Sequence, residues 1–74
     1  MKLLIKDVGR SKKSSTIEVA DDCEREWVAA AIYDEVCRMK ALMSRDVDCI
    51  WDPETRTGAV YAGGRPVGTV EVES

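Results

Sequence analysis

The chain predicts an α+β fold: one small domain over residues 1–74, in the order ββαβββ, with an antiparallel sheet and one long helix packed across one face. Three observations carry this. A helix-period apolar stripe occupies the middle of the chain. Short β-type runs separated by turn residues lie on both sides of it. Seventy-four residues leave room for one core and no second domain.

Leu3 to Val8 reads as the first strand, rich in Leu, Ile and Val. Its Leu3-Leu4-Ile5 run breaks the alternation, which points to cover on both faces for part of its length. Gly9 to Ser14 is a polar turn. Ser15 to Ala20 returns as the second strand, with Ile17 and Val19 inward and Thr16 and Glu18 outward. Asp21 is the expected helix cap, with Glu24 three residues later as in a capping box. Asp22, Glu24 and Glu26 suit the positive end of the helix dipole, and Arg38 and Lys40 suit the other. The helix is expected to fade between Met43 and Arg45. Asp46 to Asp52 is the third strand, with Val47, Cys49 and Trp51 on one face. Asp52 to Gly58 is a turn, and Ala59 to Ala62 the fourth strand. Gly63-Gly64 permits the positive φ angles of a tight hairpin, and Val67 to Val72 is the fifth strand, with Val70 and Val72 inward.

The helix is apolar on two sides. Val28, Ile32, Val36, Met39 and Met43 form one stripe, suited to covering the sheet. Cys23, Trp27, Ala30, Asp34, Cys37 and Ala41 form a second, stepping by fours and threes like a heptad seam. At about 100° per residue it lies roughly opposite the first. One core cannot bury both. Trp27 is then either an anchor in a partner interface or is covered by the Asp52–Gly58 loop or the N-terminal hairpin. Asp34, polar within the seam, is the residue expected to set register or partner choice. With no Phe, the aromatic share of the core is expected from Trp27, Trp51, Tyr33 and Tyr61.

Charge divides along the chain. Residues 1–14 hold five basic and one acidic side chains, a net of +4, and residues 15–74 hold six and thirteen, a net of −7; the chain totals −3. The acids Asp46, Asp48, Asp52 and Glu54 gather around the third strand. Asp48 and Asp52 share a face about 13 Å apart. They read as an acidic stripe aimed at a basic partner surface or as ordinary surface charge. The Arg10, Lys12 and Lys13 loop is a candidate phosphate contact. A solvated hairpin tip guarding a sheet edge is the more ordinary account of it, and no aromatic residues interleave for base stacking.

Catalysis is not expected. There is no His to serve as general base, the three cysteines lack an imidazole partner, and Gly63-Gly64-Arg65 is too short for a phosphate-cradling loop. No cofactor and no metal are expected, since there is no Cys-x-x-Cys pair. Cys23 and Cys37, placed on one helix about 21 Å apart, cannot form a disulfide. No signal peptide or apolar span is evident, so the expected location is cytoplasmic, away from membranes.

The runs Lys-Leu-Leu-Ile-Lys-Asp-Val and Ser-Thr-Ile-Glu-Val-Ala, one helix, then Val-Asp-Cys-Ile-Trp, Gly-Ala-Val-Tyr and Val-Gly-Thr-Val-Glu-Val resemble, in size and element order, several small phage-encoded anti-CRISPR proteins. Ubiquitin-like and other small α+β modules share similar orders. The anti-CRISPR resemblance implies a non-enzymatic inhibitor that binds a Cas protein or complex and blocks nucleic-acid recognition, with the acidic body facing a basic channel. Two other classes stand beside it. One is a homodimeric regulatory or structural module pairing through the outer helix face. The other is a nucleic-acid accessory domain using Arg10, Lys12 and Lys13; direct nucleic-acid binding fits poorly with the acidic balance.

Overall fold

The computed structural model describes residues 1–9, 11–40 and 46–73. Its elements are β1 (Lys2–Val8), β2 (Lys13–Glu18), α1 (Arg25–Met39), β3 (Val47–Asp52), β4 (Thr57–Ala62) and β5 (Arg65–Val72). The fold is α+β in the expected ββαβββ order. All five strands form one antiparallel sheet in the order β2-β1-β5-β4-β3, so β1 and β5, first and last in the chain, are paired near its middle. The backbone of α1 comes nearest to β3 and β2, the two edges, so the sheet curls around the helix.

The core lies between them. Val28, Ile32 and Val36 of α1 meet Leu3, Ile5, Val8, Cys49, Trp51, Val60 and Val70 of the sheet. Met39, Ile17, Val19, Val47 and Val72 pack at its margin. The first helix stripe therefore covers the sheet as its spacing predicts. Asp7, at φ 60, carries a β-bulge that shifts register between Ile5 and Val8. Strict alternation after Leu3 and Ile5 would aim Asp7 at the core; the extra residue turns it away and buries Val8.

Two glycines make room for bulky neighbours. A Cβ on Gly68 would lie 2.9 Å from Val8 Cγ2. A Cβ on Gly58, which faces Trp51 across β3 and Val70 across β5, would lie 2.5 Å from the Ile50 carbonyl oxygen and 3.1 Å from Trp51 Cε3. Gly63 and Gly64 take the positive φ expected of their hairpin.

The helix is shorter than expected at its start. Glu24, not Asp21, is the N-cap, extended at φ −68 and ψ 154 and making no side-chain capping bond. The Asp21 carboxylate is drawn away by the Met1 amino group, 2.6 Å from it, which also donates to the Val19 carbonyl at 2.8 Å. That hydrogen bond and charge hold the Asp21 carboxyl below the usual carboxylate range. Ala20 to Cys23 forms a turn, with the Cys23 N–H on the Ala20 carbonyl, so Cys23 is off the helix. At the other end Lys40 adopts a left-handed conformation, its N–H donating to the Cys37 carbonyl, and the helix stops at Met39. The expectations for Ala41, Met43 and the fade toward Arg45 lie outside the described residues.

Leu4 corrects a second expectation. It is half-buried on the sheet face away from α1, beside Thr16 and Glu71, where Lys6 pairs with Glu71 at 3.0 Å. The consecutive apolar residues thus reflect one side chain lying among its strand neighbours. Among the described residues no element covers that face.

Candidate protein-binding surfaces

The second helix stripe stands in solvent. Trp27 is 69% exposed, and Ala30, Asp34 and Cys37 are exposed with it. Neither the Asp52–Gly58 loop nor the N-terminal hairpin buries the indole. Cys23, in its turn before the helix, is also exposed, while Ala41 lies outside the described residues. Tyr33 joins this surface on the flank toward Cys37, one helical turn on. The neighbouring Cys37 thiol raises the Tyr33 hydroxyl pKa above the ordinary tyrosine value. The aromatic expectation is corrected accordingly. Trp51 is buried, Tyr61 half-buried, and Trp27 and Tyr33 exposed. Tyr33 had a readable signal, since position 33 lies on the same side of the helix wheel as Cys37 and well off the Val28–Ile32–Val36 line.

The four acids lie elsewhere. Cys49 and Trp51 point into the core, so Asp48 and Asp52 point to the sheet face away from α1. Asp48 Oδ1 accepts the Cys49 N–H at 3.0 Å, and Asp52 Oδ1 accepts the Glu54 N–H at 2.9 Å, an Asx turn that shapes the β3–β4 hairpin. Asp46 and Glu54, both exposed, sit at the two ends of β3. The helix stripe and the acid stripe are therefore two surfaces on opposite sides of the protein, not one. Between them, at the N-terminal end of α1, runs an open cleft of about 830 Å³. Arg25, Glu26 and Ala29 form one wall and Cys49 to Asp52 of β3 the other, with Glu54 near its mouth.

The basic hairpin is partly committed. Lys13 Nζ donates to the Met39 carbonyl at 3.4 Å, capping the C-terminal end of α1, and Ser15 Oγ donates to Glu35 Oε1 at 2.8 Å. Lys12 is exposed, at φ 50, and Arg10 lies outside the described residues.

All three thiols are free. Cys49 is buried, and burial first, then the charge of Asp48, pushes its pKa from the ordinary 9.0 up to about 11. At pH 8 a disulfide reagent is expected to label Cys23 and Cys37 in the native protein and Cys49 only after unfolding; rapid native labelling at three sites would contradict this burial. The same group gives a pH effect. The unfolded thiol releases its proton near pH 9 and the folded one near 11, so its stabilisation is complete below 9 and lost as pH rises toward 11. The urea midpoint should fall across that window, and by less in Cys49→Val.

Among the described residues there is no group of three or more His, Cys, Asp or Glu side chains placed to hold a metal, and no helix is long and apolar enough to cross a membrane. No protein-family model, curated protein or solved structure matches this chain.

Proposed function

We propose that this chain is a non-catalytic protein-binding module that presents the outer face of α1 to a protein partner. The observation that carries the reading is Trp27, a large aromatic side chain left 69% exposed beside Ala30, Cys37 and Tyr33 on an otherwise well-formed helix. Burying that indole in an interface contributes about 2 to 3 kcal/mol. Trp is also the residue type most enriched at interface hot spots. Asp34, exposed within the same face, supplies a polar contact for orientation. The resemblance to small anti-CRISPR proteins puts a Cas protein or complex forward as the partner, and the acidic body supports a basic surface on it.

Three measurements test this. Light scattering over a wide concentration range separates a foreign partner from a second copy. A mass rising toward two chains, abolished by Trp27→Asp, would assign the helix face to a homodimer. A constant one-chain mass keeps it for a foreign partner. Purified Cas effector complexes are then expected to lose target-DNA binding when the protein is added. Trp27→Ala should raise the concentration needed about thirtyfold, the equivalent of about 2 kcal/mol. Unchanged potency in a folded Trp27→Ala protein would remove the helix face from the reading. Lack of inhibition across effector types would remove the Cas assignment. Salt-dependent binding of DNA alone, lost in Lys12→Glu, would favour the accessory-domain alternative instead.

A further inference from the structure

The edge of the sheet at β3 lies apart from the outer face of α1. Among the described residues β3 ends the sheet, with β4 on one side and no strand on the other. The Asp46 carbonyl accepts the Gly63 N–H at 2.9 Å, which continues the β3–β4 ladder through even-numbered residues. The Cys49 N–H is bonded to Asp48 Oδ1 and points off the free side. Antiparallel strands alternate in this way, so the N–H and C=O groups of Val47, Cys49 and Trp51 face away from β4. The opposite edge differs. There Lys13 and Ser15 are tied to Met39 and Glu35 of α1.

The surroundings of the β3 edge fit a strand. The open cleft runs beside Cys49 to Asp52, with Arg25, Glu26 and Ala29 as its far wall. Ile50 is 49% exposed on the face away from α1, and Asp48 and Asp52 flank it two residues to either side. Residues directly opposite one another in paired strands interact, and like charges there repel. A second copy of β3 added antiparallel and centred on Ile50 would set Asp48 against Asp52 of that copy, twice over. The edge is thereby set against itself and toward a basic strand.

We infer that β3 receives an extended basic segment of a partner protein, which adds to the sheet as a sixth strand. Its backbone pairs with Val47, Cys49 and Trp51 and displaces Asp48 Oδ1 from the Cys49 N–H. Its side chains read basic–x–apolar–x–basic, the basic pair facing Asp48 and Asp52 and the apolar residue facing Ile50.

The probe is an end-blocked peptide, Gly-Thr-Arg-Thr-Val-Thr-Arg-Thr-Gly, titrated into the full ¹⁵N-labelled chain. The expected result is saturable shifts and slowed hydrogen exchange at the Val47, Cys49 and Trp51 amides. N-methylation of the peptide amides that face β3 should abolish binding, and N-methylation on the other side should not. The double variant Asp48→Lys, Asp52→Asn, both at exposed positions and the second keeping the oxygen that accepts the Glu54 N–H, should bind about tenfold more weakly with an unchanged circular dichroism spectrum. Several results would overturn the proposal. These are no saturable shift at millimolar peptide, shifts confined to Trp27, Ala30 and Cys37, or equal binding by a scrambled peptide of the same charge. A peptide-free dimer dissolved by Ile50→Lys would give the edge to a second copy and overturn it as well.

Discussion

Trp51→Ala is expected to cost about 3 to 5 kcal/mol of folding free energy, the usual range for removing a large aromatic side chain from a core. Trp51 is 5% exposed and packs over Gly58 on the helix-facing side of the sheet. No neighbour can fill the space, because the position across the ladder has no side chain and the next one over is Val70. A 74-residue domain has about 4 to 11 kcal/mol of stability in total. The variant should therefore lose a large part of its denaturant midpoint and populate unfolded chains at 37 °C. Ile50→Ala, one residue away on the exposed face, is the control and should cost less than about 1 kcal/mol. Chemical denaturation followed by circular dichroism measures both. Similar costs for the two would mean that Trp51 is not the inward residue of β3.

Gly58→Ala is expected to cost about 3 kcal/mol, from one added methyl group. Its Cβ would sit 2.5 Å from the Ile50 carbonyl oxygen, 3.1 Å from Trp51 Cε3 and 3.3 Å from Val70 Cβ. A flexible side-chain end can move aside, but a ladder carbonyl cannot without breaking the β3–β4 pairing. Overpacking by a methylene ordinarily costs about 1 to 3 kcal/mol, and contact with fixed backbone belongs at the upper end. Gly64→Ala gives the contrast. Nothing lies within 4 Å of its Cβ, so its cost comes from φ +78 alone. It should be nearer 1 kcal/mol. Combining Gly58→Ala with Trp51→Ala should relieve part of the strain, making the double variant less unstable than the sum of the two. Strict additivity would place the conflict at Ile50 rather than at the indole.

What could be read from the residues was whatever depends on near neighbours. Val28, Ile32 and Val36 recur at helix spacing, and Cys49 and Trp51 at strand spacing; each spacing names a buried face without reference to the rest of the chain. Gly63-Gly64 names its own backbone conformation. The misread features were decided from a distance. Asp21, Asp22 and Glu24 are all chemically fit to begin a helix; the helix begins after Glu24, and Asp21 pairs instead with the Met1 amino group. Lys13 has the sequence setting of a loop cation, yet a helix carbonyl 26 residues away takes its ammonium group. Spacing alone does not say whether the acid stripe and the helix stripe share a side of the protein. Which side of the sheet Asp48 takes relative to α1 follows only once Trp51 is known to share a core with Ile32.

The pairing of β1 with β5 has a consequence for how the molecule is made. Leu3 faces Val72 across that ladder, so one of its inner seams joins residues almost a full chain length apart. Contacts of such long sequence separation slow folding, because chain entropy is lost before they form. On a ribosome the β1–β2 hairpin and α1 emerge first, and β1 must wait with one side open until β5 has cleared the exit tunnel. Leu4, with Lys2 and Lys6 on either side of it along that waiting strand, keeps an apolar surface between two charges during the interval. Those lysines guard a nascent edge that the finished fold no longer has.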